Sequence, residues 1–155
     1  MELLMTPEEA VRAAFGSTDA VAAGLVTESL LLAAQRRYLR PVLGGAFCDA
    51  LAAGKYDTFL DSCVKPVLAL FVKYLVLPDA AVRPGRLGIV KFGGDSFEPA
   101  DDATLARLRR RVRADAETLL AAAVELLEAA PAEYPEYDCR GNVKHRVSVD
   151  GGIVL

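Results

Sequence analysis

The sequence predicts a mainly α-helical fold: a single-domain helical bundle of four to five helices, with one long helix in its C-terminal half and minor β structure. The length supports this, since 155 residues suit one domain. Hydrophobic residues make up 53% of the chain, and many of them are Ala and Leu, which favour helices. Apolar residues also recur every three or four positions in the longest segments, the spacing of one helix face. We therefore place 1–155 in one domain with one core.

The N-terminal helix has both a start signal and a stop signal. Thr6 can cap the helix, Pro7 suits its first turn, and Glu9 stands where a capping box needs an acid. We expect this helix to extend to about Phe15 and to end at Gly16.

Two more helices are predicted in the N-terminal half. The cap-like Thr27 starts one of them, at about residues 28–39, and Pro41 with the glycine pair that follows ends it. A brief helix over 46–52 closes at Gly54.

The strongest candidate for the core is the segment 56–77. Past Val67 it is apolar on nearly all sides, as a buried helix would be. Pro66 removes one backbone hydrogen bond and is expected to kink the helix, whereas Pro78 is expected to end it. The apolar positions at helical spacing are Tyr56, Phe59, Leu60, Cys63, Val64, Val67, Leu68, Phe71 and Leu75.

The interval 79–99 is rich in glycine and proline and contains one short alternating run at 87–92. We interpret the interval as a long loop or a small strand pair, with a short strand near 87–92. A connection of this length is more often a binding or assembly loop than a plain linker.

The longest helix is predicted to start at the pair Asp101-Asp102 and to end near Ala129, before Pro131. Such a helix would reach about 40 Å at 1.5 Å per residue. Its expected apolar stripe consists of Leu105, Leu108, Val112, Leu119, Ala123 and Leu126. Its opposite face carries Arg107, Arg110 and Arg111, followed by Glu117, Glu125 and Glu128.

Residues 131–155 are predicted as an extended C-terminal arm, with short strands near 145–155 around an Asp-Gly turn. Aromatic and apolar residues outside a helix are costly to order unless they pack against something. Docking on the chain's own helices and reaching into a neighbouring subunit both stay open. The residues of this candidate assembly arm are Tyr134, Tyr137, Ile153 and Val154.

Catalytic and metal-binding chemistry is sparse in this sequence. The one histidine, His145, could form a thiolate pair or a metal site with Cys139, but the only further potential ligands nearby are Asp138 and Asp150. Cys48 and Cys63 occupy apolar helix positions and are expected to pack in the core. We therefore predict no catalytic residue, no metal site and no cofactor, and a protein that is not an enzyme.

Arginines are the strongest local charge feature, in a chain whose net charge is −3. One interpretation is non-specific contact with DNA phosphates or with acidic neighbouring subunits. The other is a solvated helix face whose arginines pair with nearby acids. The candidate contact residues are Arg36, Arg37, Arg40, Arg107, Arg110 and Arg111.

The N-terminus does not have the pattern of a signal peptide. The most apolar segment, 67–77, contains Lys73 and is too short to span a bilayer. Three cysteines cannot all pair within one chain, and reduced thiols suit the cytosol. We expect a cytoplasmic protein without a membrane partner.

Three blocks of the sequence are familiar in combination. They are 34–44, with the sequence AQRRYLRPVLG; 56–69, with its Lys65-Pro66 step; and the tail blocks 134–138 and 151–154. With these blocks the chain resembles a family of small proteins encoded in phages and prophages of anaerobic gut and oral bacteria. Those proteins are similar in turn to the head–tail connector, or head-completion, proteins of tailed phages. The resemblance spans most of the chain from Ala34, and its motifs are structural, without catalytic residues to carry over.

The resemblance implies a helical structural protein of virion assembly, present in the cytoplasm or in the assembled virion. It implies a homo-oligomer that closes into a ring, commonly of about a dozen copies, beneath the portal. The arginines would face the DNA channel or the adjacent acidic subunit. The 79–99 loop or the C-terminal arm would meet portal and tail proteins. A second hypothesis is a small adaptor or regulatory module that binds a host protein or DNA.

Overall fold

The computed structural model of the chain describes residues 2–16, 24–82, 90–93, 96–99 and 101–145. These residues form a mainly helical fold, as predicted. In chain order, α1 is Pro7–Phe15; α2 joins Glu28–Ala34, Gln35–Leu39 and Arg40–Leu43; α3 is Gly45–Ala52; α4 joins Asp57–Phe59, Leu60–Val64 and Lys65–Val82; and α5 is Asp102–Ala129. Two strands, β1 (Val90–Gly93) and β2 (Ser96–Pro99), lie between α4 and α5.

Helix α1 begins and ends where the sequence predicts. The Thr6 hydroxyl accepts a hydrogen bond from the Glu9 amide at 3.2 Å, and the Thr6 amide donates to the Glu9 carboxylate at 2.8 Å. This reciprocal pair satisfies two amides that the first turn of a helix otherwise leaves unpaired. Gly16 ends the helix with a φ of 84°, a backbone conformation that favours glycine.

Prolines in α2 and α4 do not stop these helices. The second helix ends at the predicted glycine pair but not at Pro41, because α2 continues to Leu43 and its C-cap is Gly44, whose φ is 83°. In both helices a π-helical turn, Gln35–Leu39 or Leu60–Val64, ends two residues before the proline. A π turn bonds each carbonyl to an amide five residues ahead. This wider spacing lets the chain pass a residue that has no N–H and a bulky ring.

Helix α4 also continues beyond Pro78, to Val82, so the predicted stop at that proline is wrong. The loss of one backbone hydrogen bond does not end a helix whose other bonds and packing persist. The first residues of the interval 79–99 are therefore helical and not part of a loop. Further along, β1 and β2 pair antiparallel, with Val90 opposite Pro99.

Helix α4 is the centre of the packed core. Its inner residues are almost completely enclosed by α1, α2 and α5. The most deeply buried of them are Val64, Val67, Leu68, Phe71, Val72 and Val76. Burial of this kind is the main favourable term in folding. In the part of the chain that the structure describes, no helix combines the length and apolar character needed to cross a membrane.

The buried stripe of α5 differs from the predicted stripe. Leu119 and Leu126 were expected to face the core, but 42% and 54% of their surfaces are exposed. The predicted positions include steps of seven residues, and an α-helix drifts by about 20° over each such step. The buried residues instead follow steps of three or four, with two adjacent positions at 123 and 124: Val112, Ala116, Leu120, Ala123, Val124 and Leu127.

Residues 131–145 are not extended, unlike the arm predicted for this region. They fold as turns and two short 3₁₀ helices, Cys139–Gly141 and Val143–His145. Tyr134 and Tyr137 pack against the core, which removes their rings from water and explains why the chain turns back on itself. The strands predicted near 145–155 do not include His145, and 146–155 lies outside the described residues.

Candidate functional site

Three of the predicted contact residues lie together on α2. Arg36, Arg37 and Arg40 are all exposed, in the π turn and directly after it. The guanidinium of Arg40 lies over Gly45, where a side-chain Cβ would stand 3.0 Å from its Nη2. Arg40 thus contacts the start of α3, whereas Arg36 and Arg37 project from the body of α2.

Two tyrosines lie beside these arginines. Tyr38 stacks on Phe71 of α4, with ring centroids 4.2 Å apart and ring planes nearly parallel. The rings of Tyr38 and Tyr74 meet edge to face, with their centroids 6.4 Å apart. The Arg37 guanidinium lies over the Tyr38 ring, 5.5 Å from its centroid. The aromatic contacts with α4 therefore fix the ring against which Arg37 rests.

Two arginines of α5 lie against Tyr74. The Arg109 guanidinium lies 4.7 Å from the centroid of the Tyr74 ring. Arg113 pairs with Glu117 at 2.8 Å. The pKa of Arg113 is raised, mainly by its hydrogen bond to Glu117 and to a smaller extent by a hydrogen bond to Tyr74. Both arginines are therefore held against Tyr74.

Arg37, Tyr38, Tyr74, Arg109 and Arg113 form what we call the arginine–tyrosine surface. Cation–π contacts of this kind contribute about 0.5–1 kcal/mol each at exposed sites. Their main effect is to limit the motion of long side chains, so less conformational entropy is lost when a ligand binds. The Nε of Arg109 is buried and has no hydrogen-bond partner. Three cations from two helices thus stand close together in an acidic chain.

The other predicted α5 arginines are more weakly held. Arg107, Arg110 and Arg111 are exposed. Arg107 donates to the Thr104 hydroxyl at 3.1 Å, and Arg111 lies 4.0 Å from the Asp115 carboxylate. Such surface pairs contribute little to stability. These three side chains give the N-terminal half of α5 a second group of exposed positive charges, separate from the arginine–tyrosine surface.

Tyr134 and Tyr137, predicted as assembly-arm residues, belong to an aromatic cluster inside the same chain. The centroid of the Tyr134 ring lies 5.2 Å from the centroid of the Tyr56 ring and 5.3 Å from that of the Phe59 ring. The Phe47 ring meets the rings of Tyr134 and Tyr137 edge to face, with centroid distances of 6.0 and 6.1 Å. Of the two alternatives for this region, the structure places both tyrosines on the chain's own helices. Ile153 and Val154, predicted with them, lie outside the described residues.

Glu136 forms polar contacts at the edge of this aromatic cluster. Its carboxylate pairs with the Lys55 ammonium and accepts a hydrogen bond from the Tyr56 hydroxyl. These two donors, first Lys55 and then Tyr56, lower the pKa of Glu136 to about 2. The same contact raises the pKa of Lys55. Residues 131–145, which we call the C-terminal segment, are thereby tied to the junction between α3 and α4.

Cys139 and His145 line one cavity, but their arrangement is not that of a catalytic pair. His145 Nε2 lies 2.8 Å from the Glu128 carboxylate. No hydrogen bond joins the Cys139 thiol to the imidazole among the described residues.

Burial raises the pKa of the Cys48 thiol to about 11, which keeps it protonated at neutral pH. Within the same residues, no group of three or more His, Cys, Asp or Glu side chains could hold a metal ion.

The sequence reveals only part of the arginine–tyrosine surface. Arg37 and Tyr38 are neighbours in a run of arginines, which is a usable signal. Tyr74, by contrast, stands in an apolar helix far from both arginine groups in the chain. Arg109 and Arg113 could be selected over Arg110 and Arg111 only with the rotation of α5 known.

Residues 23–147 match the model of a family of unknown function, DUF6712. No curated protein and no solved structure matches the chain. The matched residues include α2 to α5, the arginine–tyrosine surface and the aromatic cluster. Because the match extends over well more than half of its length, the chain belongs to the DUF6712 family.

Proposed function

We propose that this protein is a non-enzymatic structural subunit of prophage origin, a head–tail connector that assembles into a ring. The observation that carries the proposal is the solvent-facing side of α5. Leu119 and Leu126, one heptad apart, are exposed on a helix of 28 residues. Two exposed leucines on one side of a long helix offer an apolar surface against which another chain can pack.

The charges on α5 support an assembly role. Its N-terminal half carries the exposed Arg107, Arg110 and Arg111, and its C-terminal half carries Glu117, Glu125 and Glu128. Neighbouring copies of the chain, packed head to tail in a ring, can bring the basic surface of one subunit against an acidic surface of the next. A ring also concentrates arginines around its axis, where they can contact DNA phosphates without reading sequence.

The arrangement of reactive groups favours a structural role over an enzymatic one. Catalysis by covalent attack needs a nucleophile within reach of a base. In the described part of the chain the imidazole is engaged by Glu128, and the buried thiol of Cys48 has a raised pKa. The aromatic cluster and the Glu136 contacts instead give a rigid body, which is what a ring subunit requires.

Light scattering after gel filtration, over a wide range of protein concentration, tests the proposal. We expect the wild-type chain of 16.5 kDa to form a large, discrete oligomer. The double substitution Leu119→Ser and Leu126→Ser should reduce its size, because it removes the apolar contact. Val143→Ser is the matched control, since Val143 is 44% exposed but lies in the C-terminal segment. A wild-type monomer at every concentration would favour the adaptor hypothesis instead.

A further inference from the structure

We propose that the cavity between the end of α5 and the C-terminal segment binds a small carboxylic acid with an apolar body. The cavity has a volume of about 530 Å³ and is lined by Leu127, Glu128, Pro131, Tyr137, Cys139, Arg140 and His145. This volume lies within the range of small-molecule sites in proteins, about 300–1,000 Å³. We call this cavity the C-terminal pocket. It shares only Glu128 with the surfaces that the assembly proposed above uses.

The walls of the C-terminal pocket are held in place by the protein itself. Glu128 Oε1 accepts a hydrogen bond from the Tyr137 hydroxyl at 3.1 Å and lies 2.8 Å from His145 Nε2. Asn142, which is 1% exposed, donates from Nδ2 to the Tyr137 oxygen at 3.1 Å. Its Oδ1 accepts from the Lys144 amide at 2.9 Å. A ligand therefore meets a site that is already formed, which limits the entropy lost on binding.

The lining determines the chemical class of the ligand. Leu127, which is fully buried, Pro131 and the Tyr137 ring supply an apolar surface for a flat or aliphatic body. None of the hydrogen bonds and ion pairs among the described residues involves the Arg140 guanidinium. A guanidinium presents two parallel N–H groups that match a carboxylate.

Recognition of a cation is disfavoured by the same geometry. Glu128, the one acid of the lining, already serves Tyr137 and His145 through a single oxygen. Its Oε2 makes none of the described contacts, so the preference against a cation depends on repulsion by the Arg140 guanidinium, which forms none of the described ion pairs. The pocket should therefore prefer a carboxylate to a neutral or cationic molecule of the same shape.

Benzoate is a suitable probe, because it combines an aromatic ring with one carboxylate. Its neutral and cationic counterparts are benzyl alcohol and benzamidine. Titration of the full chain followed by amide chemical shifts in NMR gives the dissociation constant of each. We expect benzoate to bind most tightly and to shift the amides of Tyr137, Cys139 and Arg140. Equal binding of all three probes, or tighter binding of benzamidine, would overturn the assignment of a carboxylate site.

The exposed thiol of Cys139 reports occupancy directly. Cys48 is buried and Cys63 is half-buried, so the neutral reagent iodoacetamide should alkylate Cys139 fastest. At benzoate concentrations ten times the dissociation constant, simple competition slows alkylation by about 11-fold. Mass spectrometry of the intact chain measures the rate. An unchanged rate would contradict binding in this pocket.

The substitution Arg140→Gln separates recognition from structure, because Arg140 is exposed. It should weaken benzoate binding about 10-fold or more, as expected when a charge-assisted bidentate pair is removed, and leave benzyl alcohol unchanged. Arg12→Gln removes an exposed arginine of α1 and serves as the control. If Arg140→Gln and Arg12→Gln weaken benzoate binding equally, the charge of the whole chain is responsible and the proposed site is wrong.

Discussion

Gln35 is one of two polar side chains that the described core encloses, with 3% of its surface exposed. Its Oε1 accepts a hydrogen bond from the Leu4 amide at 3.0 Å, and its Nε2 donates to the Glu2 carbonyl at 3.1 Å. Both contacts link α2 to the segment that precedes α1. Gln35 lies in the π turn of α2, so the distorted turn and the attachment of the N-terminal segment coincide.

We predict that Gln35→Leu lowers the free energy of unfolding by about 1–3 kcal/mol, because the Leu4 amide would stay buried without a partner. Urea denaturation measures the change. Arg36→Ala, at the exposed neighbouring position, is the control and should change stability by less than about 0.5 kcal/mol. Equal effects of the two substitutions would show that the Gln35 hydrogen bonds do not stabilise the fold.

Glu136 gives the protein a specific dependence on acid. Its pKa in the folded state is lowered from 4.5 to about 2. A lowered folded-state pKa means that the contribution of Glu136 to stability is complete above about pH 4.5 and is lost as the pH falls towards 2. We predict that Glu136→Gln reduces the loss of thermal stability in this window. Melting temperatures measured from pH 7 to pH 2 test this, with Glu133→Gln as the control. Identical pH profiles for wild type and Glu136→Gln would refute the prediction.

At the scale of whole elements, the rotation of α5 determines which residues face the core. Leu119 and Leu120 are adjacent in the chain, but 42% of the surface of Leu119 is exposed and 2% of that of Leu120. We predict that Leu120→Ala costs about 2–5 kcal/mol, because it removes buried methyl groups and leaves a cavity. Leu119→Ala should cost less than about 1 kcal/mol. Chemical denaturation of both variants is the measurement, and a reversed order would mean that the helix is rotated.

Helix boundaries that depend on local chemistry could be predicted from the sequence. Thr6 with Glu9, and Asp101 with the Thr104 amide, cap their helices as expected, since a cap involves only residues within one turn. The glycine pair after Pro41 marks the end of α2, but the passage of the helix through Pro41 could not be predicted in the same way. Pro41 is a strong local stop signal, but the π turn and the packing of α2 against α4 outweigh it.

The candidate site was less predictable than the helices, for a physical reason. Its charges are visible in the sequence, but the tyrosine that joins them comes from α4. Tyr74 is 36 positions from Tyr38 and 35 from Arg109 in the chain. Contacts at such separations depend on how the helices pack, which no local pattern encodes. Likewise, no local pattern shows that Tyr134 docks on Phe59.

At the scale of the whole molecule, the proposed assembly assigns the arginine–tyrosine surface to a polyanion. We predict that the protein binds duplex DNA without sequence preference and that affinity falls steeply with salt. Replacing Arg37, Arg109 and Arg113 by Gln should reduce the slope of log K against log salt by up to about three, roughly one for each arginine that no longer neutralises a phosphate. Fluorescence anisotropy of a labelled duplex measures the slope.

Arg12→Gln is the control for this experiment, because Arg12 is an exposed arginine of α1 outside the arginine–tyrosine surface. It should leave the slope nearly unchanged. Poly-glutamate that competes with the duplex at equal charge would indicate that the surface serves an acidic protein neighbour instead. Undetectable DNA binding at low salt would contradict DNA contact by the free subunit.

The most direct measurement of the central claim is the mass of the assembled protein, by native mass spectrometry of the wild-type chain. The proposed connector ring predicts one dominant species whose mass is a fixed integer multiple of 16.5 kDa, unchanged as concentration rises. Closed head-to-tail packing limits the number of copies, and electron microscopy of that species should show rings. A 16.5 kDa monomer at all concentrations, or a ladder of masses that grows without limit, would contradict a closed ring.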